Sequence, residues 1–142
     1  MTRRRHHRPV DDERSDARER ALALLYEAES KGVPPRAVLA TQVVDLDELT
    51  TLLVEGVDDH QAELDELIVG HARGWSLERM PAIDRAVLRM ALLELRNRPD
   101  VPTAVVIDEA VELAKRFSTD DSGRFVNGML SAMVSKVRPP ER

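Results

Sequence analysis

The chain has 142 residues and a mass of 16.0 kDa, room for one ordinary domain and no second full one. Acids outnumber bases 26 to 21, for a net charge of −5, and 42% apolar residues suffice to bury a core. Four aromatics and six glycines argue against an all-β sandwich or barrel, and zero cysteines exclude a disulfide scaffold, a thiolate nucleophile and Cys-ligated zinc or iron–sulfur. No apolar run approaches the roughly 18–20 residues of a membrane span, and no secretory leader opens the chain. The expected location is cytoplasmic.

Residues 1–20 hold seven arginines and five acids, leaving 14 bases against 21 acids for the remainder. The basic end is sharpest at Arg3-Arg4-Arg5-His6-His7-Arg8, with nothing apolar to bury before Val10. Residues 1–13 therefore read as a flexible arginine-rich arm, which either meets phosphate or simply solubilises. From 14 to 138 helical periodicity takes over. Ala17, Ala21, Leu24, Leu25 and Ala28 mark one stripe, ending at Gly32 before Pro34-Pro35. Pro35 suits the first turn of a short helix that carries Val38 and Leu39 inward. A third stretch runs from about Leu46 to Arg73 on Leu49, Leu52, Leu53, Val57, Leu64, Leu67 and Ile68; it is one long helix or two, broken near Asp58-Asp59 and closed by Gly74.

Pro81 opens the next helix, with Ile83, Val87, Met90 and Ala91 inward, and it ends near Arg98-Pro99. Pro99-Asp100-Val101-Pro102 is a loop, because two prolines three apart suit neither a helix interior nor a central strand. Ile107, Ala110, Val111 and Ala114 mark a fifth helix. Ser118-Thr119-Asp120-Asp121-Ser122 is a cap-rich break whose acids sit where the following helix dipole favours them. Phe125, Val126, Met129, Leu130, Ala132, Met133 and Val134 carry the last helix, which stops before Pro139-Pro140. The fold class is all-α: a compact single domain of six or seven helices.

Phosphate-binding loops, dinucleotide turns, zinc-protease and nucleophile-elbow motifs are all missing. The four histidines include no i, i+4 pair beside a carboxylate base, and no carboxylate pair stands out for acid–base work. The chain is not expected to be an enzyme, nor to hold a metal or cofactor.

Three segments carry the information: Ala17-Arg18-Glu19-Arg20-Ala21-Leu22-Ala23-Leu24-Leu25-Tyr26; Ile83-Asp84-Arg85-Ala86-Val87-Leu88-Arg89-Met90-Ala91-Leu92-Leu93-Glu94-Leu95; and Asp100-Val101-Pro102 followed by Asp108-Glu109-Ala110-Val111-Glu112-Leu113-Ala114-Lys115 and Asp121-Ser122-Gly123-Arg124-Phe125-Val126-Asn127-Gly128-Met129-Leu130. In this order and spacing, from about Arg14 to Val137, they resemble the NusB family of bacterial transcription antitermination factors, and F-V-N-G after an acid–Ser pair is the most specific element. The resemblance implies a NusB-like helical bundle that binds single-stranded boxA RNA of ribosomal RNA leader transcripts. It implies two further partners, the small-subunit ribosomal protein NusE and the RNA polymerase antitermination complex.

Onto this sequence the resemblance carries Arg8, Arg14, Arg18, Tyr26, Glu78, Asp121, Arg124 and Phe125 as RNA-binding residues, and Asp84 as a NusE contact. Single-stranded RNA is read by stacking bases on aromatics and by hydrogen bonds to base edges, which suits Tyr26, Phe125 and the carboxylates. Each has a plainer reading. Phe125 heads an apolar stripe, Asp121 is an acid favoured by a helix N-terminus, and Arg124 is a surface arginine. Arg85 and Arg89 share a helix face; they form a phosphate track, or, for Arg89, an internal pair with Glu109 or Glu112. Gly128 inside a helix is expected to mark a close helix approach.

The family's arginine-rich motif runs straight into the first helix, whereas here Asp11, Asp12, Glu13 and Asp16 interrupt it. That interruption, with the net acidity, keeps a second reading open: a helical adaptor or homodimer that binds no RNA. The NusB-like domain of ribosomal RNA cytosine methyltransferases is set aside because 142 residues leave no space for a methyl-donor domain. Helix-turn-helix DNA binding lacks a strongly basic helix face.

Overall fold

A computed structural model describes residues 9–72 and 76–139, with side chains from residue 13 onward. Among the described residues are six α-helices, one 3-10 turn and no strand: α1 (Pro9–Lys31), α2 (Pro35–Ala40), α3 (Glu48–His71), the 3-10 turn Leu77–Arg79, α4 (Ala82–Asn97), α5 (Thr103–Phe117) and α6 (Asp120–Val137). The all-α expectation holds. Arg3 to Arg8 and Gly74 lie outside the described residues. α1 starts at Pro9, so residues 9–13 belong to a helix and not to the expected arm; proline's fixed φ is preset for a first helical turn. α3 consists of two helical segments that meet at a kink at His60 (φ −119°, ψ 17°), next to the expected break.

The helix ends follow their local chemistry. Gly32, at φ +68°, closes α1: its N–H donates to the Glu29 carbonyl (3.1 Å), and that of Val33 donates to the Ala28 carbonyl (3.0 Å). This pair of hydrogen bonds satisfies carbonyls that the helix leaves open, and it needs the left-handed backbone that glycine adopts freely. Asp47 caps α3 by accepting from the Leu49 N–H (2.8 Å). Thr119 caps α6 by accepting from the Ser122 N–H (2.9 Å).

α4 is the centre. Ala86, Val87, Leu88 and every residue from Met90 to Leu95 are buried, so the helix is enclosed almost all round by α1, α3, α5 and α6. On α5 the fully buried set is Val106, Ala110, Leu113 and Ala114, while the expected Ile107 and Val111 are only partly covered. Ala132 of α6 is exposed. The close helix approaches fall elsewhere than expected. A Cβ at Gly56 would lie 2.3 Å from Leu93 Cδ2, whereas nothing lies within 4 Å of one at Gly128. Gly56 is the residue that lets α3 settle on α4.

Charged residues are buried with this core, among them a carboxylate and its guanidinium partner. Glu94 of α4 (2% exposed) accepts from Arg18 of α1 through Nε (2.9 Å) and Nη2 (2.6 Å), and from Arg98 Nη1 (2.9 Å). Arg18, 3% exposed, also reaches Glu109 of α5 (3.3 Å), to which Ser15 donates (2.6 Å). Beside it, at the same end of α4, Arg138 donates to the carbonyls of Leu95 (3.1 Å), Arg98 (3.0 Å) and Val101 (2.7 Å) and to Thr103 Oγ1 (2.9 Å), riveting the α4–α5 corner to the end of α6. No described helix is long and apolar enough to cross a membrane.

Removing one partner of a buried pair strands the other charge, so Arg18→Ala is expected to destabilise by about 3–5 kcal/mol in urea denaturation. A midpoint and slope equal to those of the unaltered chain would show that water replaces the guanidinium without penalty.

Candidate nucleic-acid interface

The residues assigned to RNA and partner by resemblance divide sharply by burial. Arg14 is exposed on α1 and Arg8 lies outside the described residues, but Arg18 is sequestered. Burial alone would lower the Arg18 pKa, yet the hydrogen bonds and charge of Glu94 and then Glu109 raise it above the ordinary arginine value. With three of its nitrogens engaged internally, Arg18 has no face to offer a phosphate; its assignment to RNA is corrected to a core role.

Asp84 is corrected likewise. It sits in the first turn of α4, only 2% exposed, so it cannot meet a partner at the surface. Its Oδ1 has no hydrogen-bond partner. Burial pushes its carboxyl above the usual aspartate value, while the hydroxyls of Ser122 and Ser118 pull it back down. Those hydroxyls belong to a chain across the α5–α6 corner. Thr119 Oγ1 donates to Ser122 Oγ (3.1 Å), which donates to Ser118 Oγ (2.9 Å).

Arg85 and Arg89 form no phosphate track. Arg85 donates to the carbonyls of Leu77 (3.0 Å) and Met80 and to Glu29. Arg89 is paired internally, as its plainer reading expects, but with Asp65 (2.7 Å) and Glu29 (3.6 Å); α3 and α1 supply its partners, not Glu109 or Glu112 of α5. The exposed Glu78 lines a cleft of about 370 Å³ together with Leu25, Glu29, Arg85 and Arg89.

Two surfaces remain, one on each side of the α5–α6 corner. The first is apolar. Tyr26 of α1 (45% exposed) and Phe117 at the end of α5 (42% exposed) share an opening of about 390 Å³ with Leu22, Ala23 and Ile83. Glu19 borders it and accepts from Arg116 (3.0 Å), whose guanidinium lies over the Phe117 ring, 4.8 Å from its centroid. Phe117 escapes a reading of sequence alone, because helical spacing does not single it out as exposed. Its one signal is being among only four aromatics.

The second surface is charged. Asp121 and Arg124, both well exposed, pair with each other across one turn of α6. Phe125 beside them is half-buried and packs against the core, which combines its two readings. A groove of about 420 Å³ adjoins, lined by Asp108, Val111 and Lys115 of α5 and Asp120, Gly123, Arg124 and Asn127 of α6. Among the described residues no group of three or more His, Asp or Glu is arranged to hold a metal.

The sequence model of the NusB family matches residues 15–135. A transcription antitermination protein NusB from Saccharopolyspora erythraea is 54% identical over 127 residues, covering 85% of this chain and 86% of that protein. The structure of T. maritima NusB superposes with a TM-score of 0.78 at 33% identity, covering 89% of this chain and 93% of that one. A complex of antitermination factors NusB and NusE with double-stranded RNA superposes with a TM-score of 0.74 at 28% identity, covering 87% and 96%.

Burying an ionised carboxyl favours its neutral form, so Asp84 has a higher pKa folded than unfolded. The stability this provides is full below the ordinary aspartate pKa and is lost as pH rises through the raised one. Asp84→Asn, which removes the buried charge at constant shape, is therefore expected to raise Tm at pH 7. That gain should shrink as the buffer is acidified toward pH 4. A Tm difference independent of pH would mean that the carboxyl keeps its ordinary pKa.

Proposed function

The chain belongs to the NusB family of transcription antitermination factors, and from that premise we propose that it binds the boxA element of ribosomal RNA operon transcripts together with NusE. In that role it promotes read-through by RNA polymerase, in the cytoplasm. The observation that carries the reading is the meeting of two unlike surfaces at one corner. An apolar, aromatic patch (Tyr26, Ile83, Phe117) adjoins a polar one holding Asp121, Arg124 and half-buried Phe125. Single-stranded RNA wants an aromatic face beside hydrogen-bonding groups, and a protein partner wants a desolvated aromatic anchor. The structural similarity to a NusB in complex with NusE and double-stranded RNA supports RNA and NusE as the partners.

Phe125 supplies the stacking face, Asp121 accepts from exocyclic base amines, and Arg124 meets phosphate once RNA competes with its exposed pair. Arg8 and Arg14 extend the phosphate contacts from the N-terminal end, and Glu78 reads RNA from the neighbouring cleft. Tyr26, set among Ile83, Ala23 and Phe117, is better suited to NusE than to a base. Asp84 serves NusE indirectly, by holding the floor beneath the patch. The adaptor or homodimer reading draws on the internal pairing of Arg18, Arg85 and Arg89, which removes three cations from any RNA surface.

The test is fluorescence anisotropy of labelled boxA-like RNA against a scrambled RNA at equal salt, with and without NusE. Selective binding that NusE tightens is expected; no selectivity in either arm, with NusE still bound, would establish the adaptor. Phe125→Ala should cost about 1–3 kcal/mol of RNA affinity in both arms, the usual worth of a stacked base. Tyr26→Ala should reduce only the gain due to NusE. An equal loss with and without NusE would return Tyr26 to base stacking.

A further inference from the structure

Most basic side chains of the described residues are already spent. Arg18, Lys31, Arg36, Arg85, Arg89, Arg96, Arg98, Arg116 and Arg124 pair with carboxylates, and Arg138 is buried against carbonyls. Arg14, Arg20, Arg79, Lys136 and Lys115 are left outside such pairs, and of these Lys115 lines a groove beside Arg124. It is exposed near the C-terminal end of α5, and no carboxylate among the described residues pairs with it, although Asp108 and Asp120 line the same groove. Its stem is held in an unusual way. It crosses α6 at Gly123, a buried position where a Cβ would lie 2.5 Å from Lys115 Cγ and 3.0 Å from its Cδ. No methyl group fits there unless the lysine moves. Glycine weakens a helix interior relative to alanine, so its presence in the first turns of α6 has a compensating use, and the lysine stem occupies the space it leaves.

We propose that Lys115 is a phosphodiester contact for the bound RNA, beside Arg124 and Asn127, and that Gly123 is the residue positioning it. The proposal rests on reading the chain as RNA-binding. An unpaired ammonium needs no internal bond broken before it meets a phosphate, whereas Arg124 must first leave Asp121. Arg124 lines the groove and also pairs with Asp121, so a strand whose phosphate meets Arg124 runs its backbone past Lys115. Asp108 and Asp120 limit the attraction and confine the phosphate to the Lys115–Arg124 side.

The experiment is a salt titration of RNA binding by the full chain, its Lys115→Gln and Gly123→Ala variants and the double variant, with boxA-like and scrambled single-stranded RNA and a thermal melt of each protein. One phosphate contact contributes about 0.7 to the log–log salt slope, or about fivefold in affinity near 0.1 M salt. Lys115→Gln should lose that much on both RNAs alike, because phosphate carries no sequence information. Gly123→Ala should lose affinity with an unchanged or higher Tm, and the double variant should bind no worse than Lys115→Gln. Wild-type slope and affinity in Lys115→Gln would overturn the contact while leaving the RNA reading intact. A Gly123→Ala chain that melts early and binds normally, or losses that add in the double variant, would overturn the positioning role. A full chain that binds neither RNA, with or without NusE, would overturn both the contact and the function.

Discussion

The buried guanidinium of Arg18 fixes the domain. Its carboxylate partners stand on two other helices, Glu94 in the enclosed α4 and Glu109 on α5, so one side chain sets the register of α1 against both. A buried pair of this kind returns little net stability, because desolvation offsets most of the attraction. What it contributes is a penalty for every other arrangement. A slip of α1 by one residue would leave Glu94 in the core with Arg98 as its one remaining cation. The fixed register then decides what α1 shows to solvent. Tyr26 is eight residues beyond Arg18, about 80° further round the helix, at the margin of the buried stripe rather than inside it. The same constraint holds Glu19 in reach of Arg116 and so steadies the guanidinium over Phe117.

Charge on this protein is organised by commitment more than by amount. An acidic chain that binds RNA has to separate its cations from its own carboxylates, and here most arginines do the reverse. Arg85 and Arg89 tie α1, α3 and α4 together through Glu29 and Asp65. The few basic groups left outside such pairs therefore matter out of proportion to their number. Arg14 lies toward the start of α1 and Lys115 at the α5–α6 groove, a distribution that matches a strand crossing the surface better than a single anion pocket.

The helices were legible because their punctuation is strong: Gly32, the prolines at 35, 81 and 102, and the cap-rich run at 118–122 mark nearly every boundary. Apolar spacing also contained more than its stripes. Arg18 is followed at three, four and seven residues by Ala21, Leu22 and Leu25, and Asp84 by Val87, Leu88 and Ala91, all buried. Both charged residues thus lie on apolar faces, and their burial could have been read directly. Partner identity could not. Whether Arg89 meets Glu109 or Asp65 depends on which helix packs against which face of α4, and periodicity on one helix is silent about its neighbour. Glycine was ambiguous for the same reason. Gly128 and Gly123 lie in the same helix, but only the packing of α5 across α6 distinguishes open space from an occupied groove.

The two surfaces share a support, which limits how they can act on each other. Phe117 ends α5 and Asp121 begins α6, and the hydroxyl chain through Ser118, Thr119 and Ser122 spans the residues between them. Coupling by shape change requires a second arrangement of that turn. The Thr119 cap, the hydrogen-bonded hydroxyls and the buried Asp84 beneath them all oppose one, because each alternative breaks hydrogen bonds beside a buried carboxyl. A partner seated on the Tyr26–Phe117 patch would therefore tighten RNA binding by offering its own contacts to the same strand. On the proposed reading the corner is a preformed platform for both ligands, and cooperativity between them would come from the RNA that bridges them.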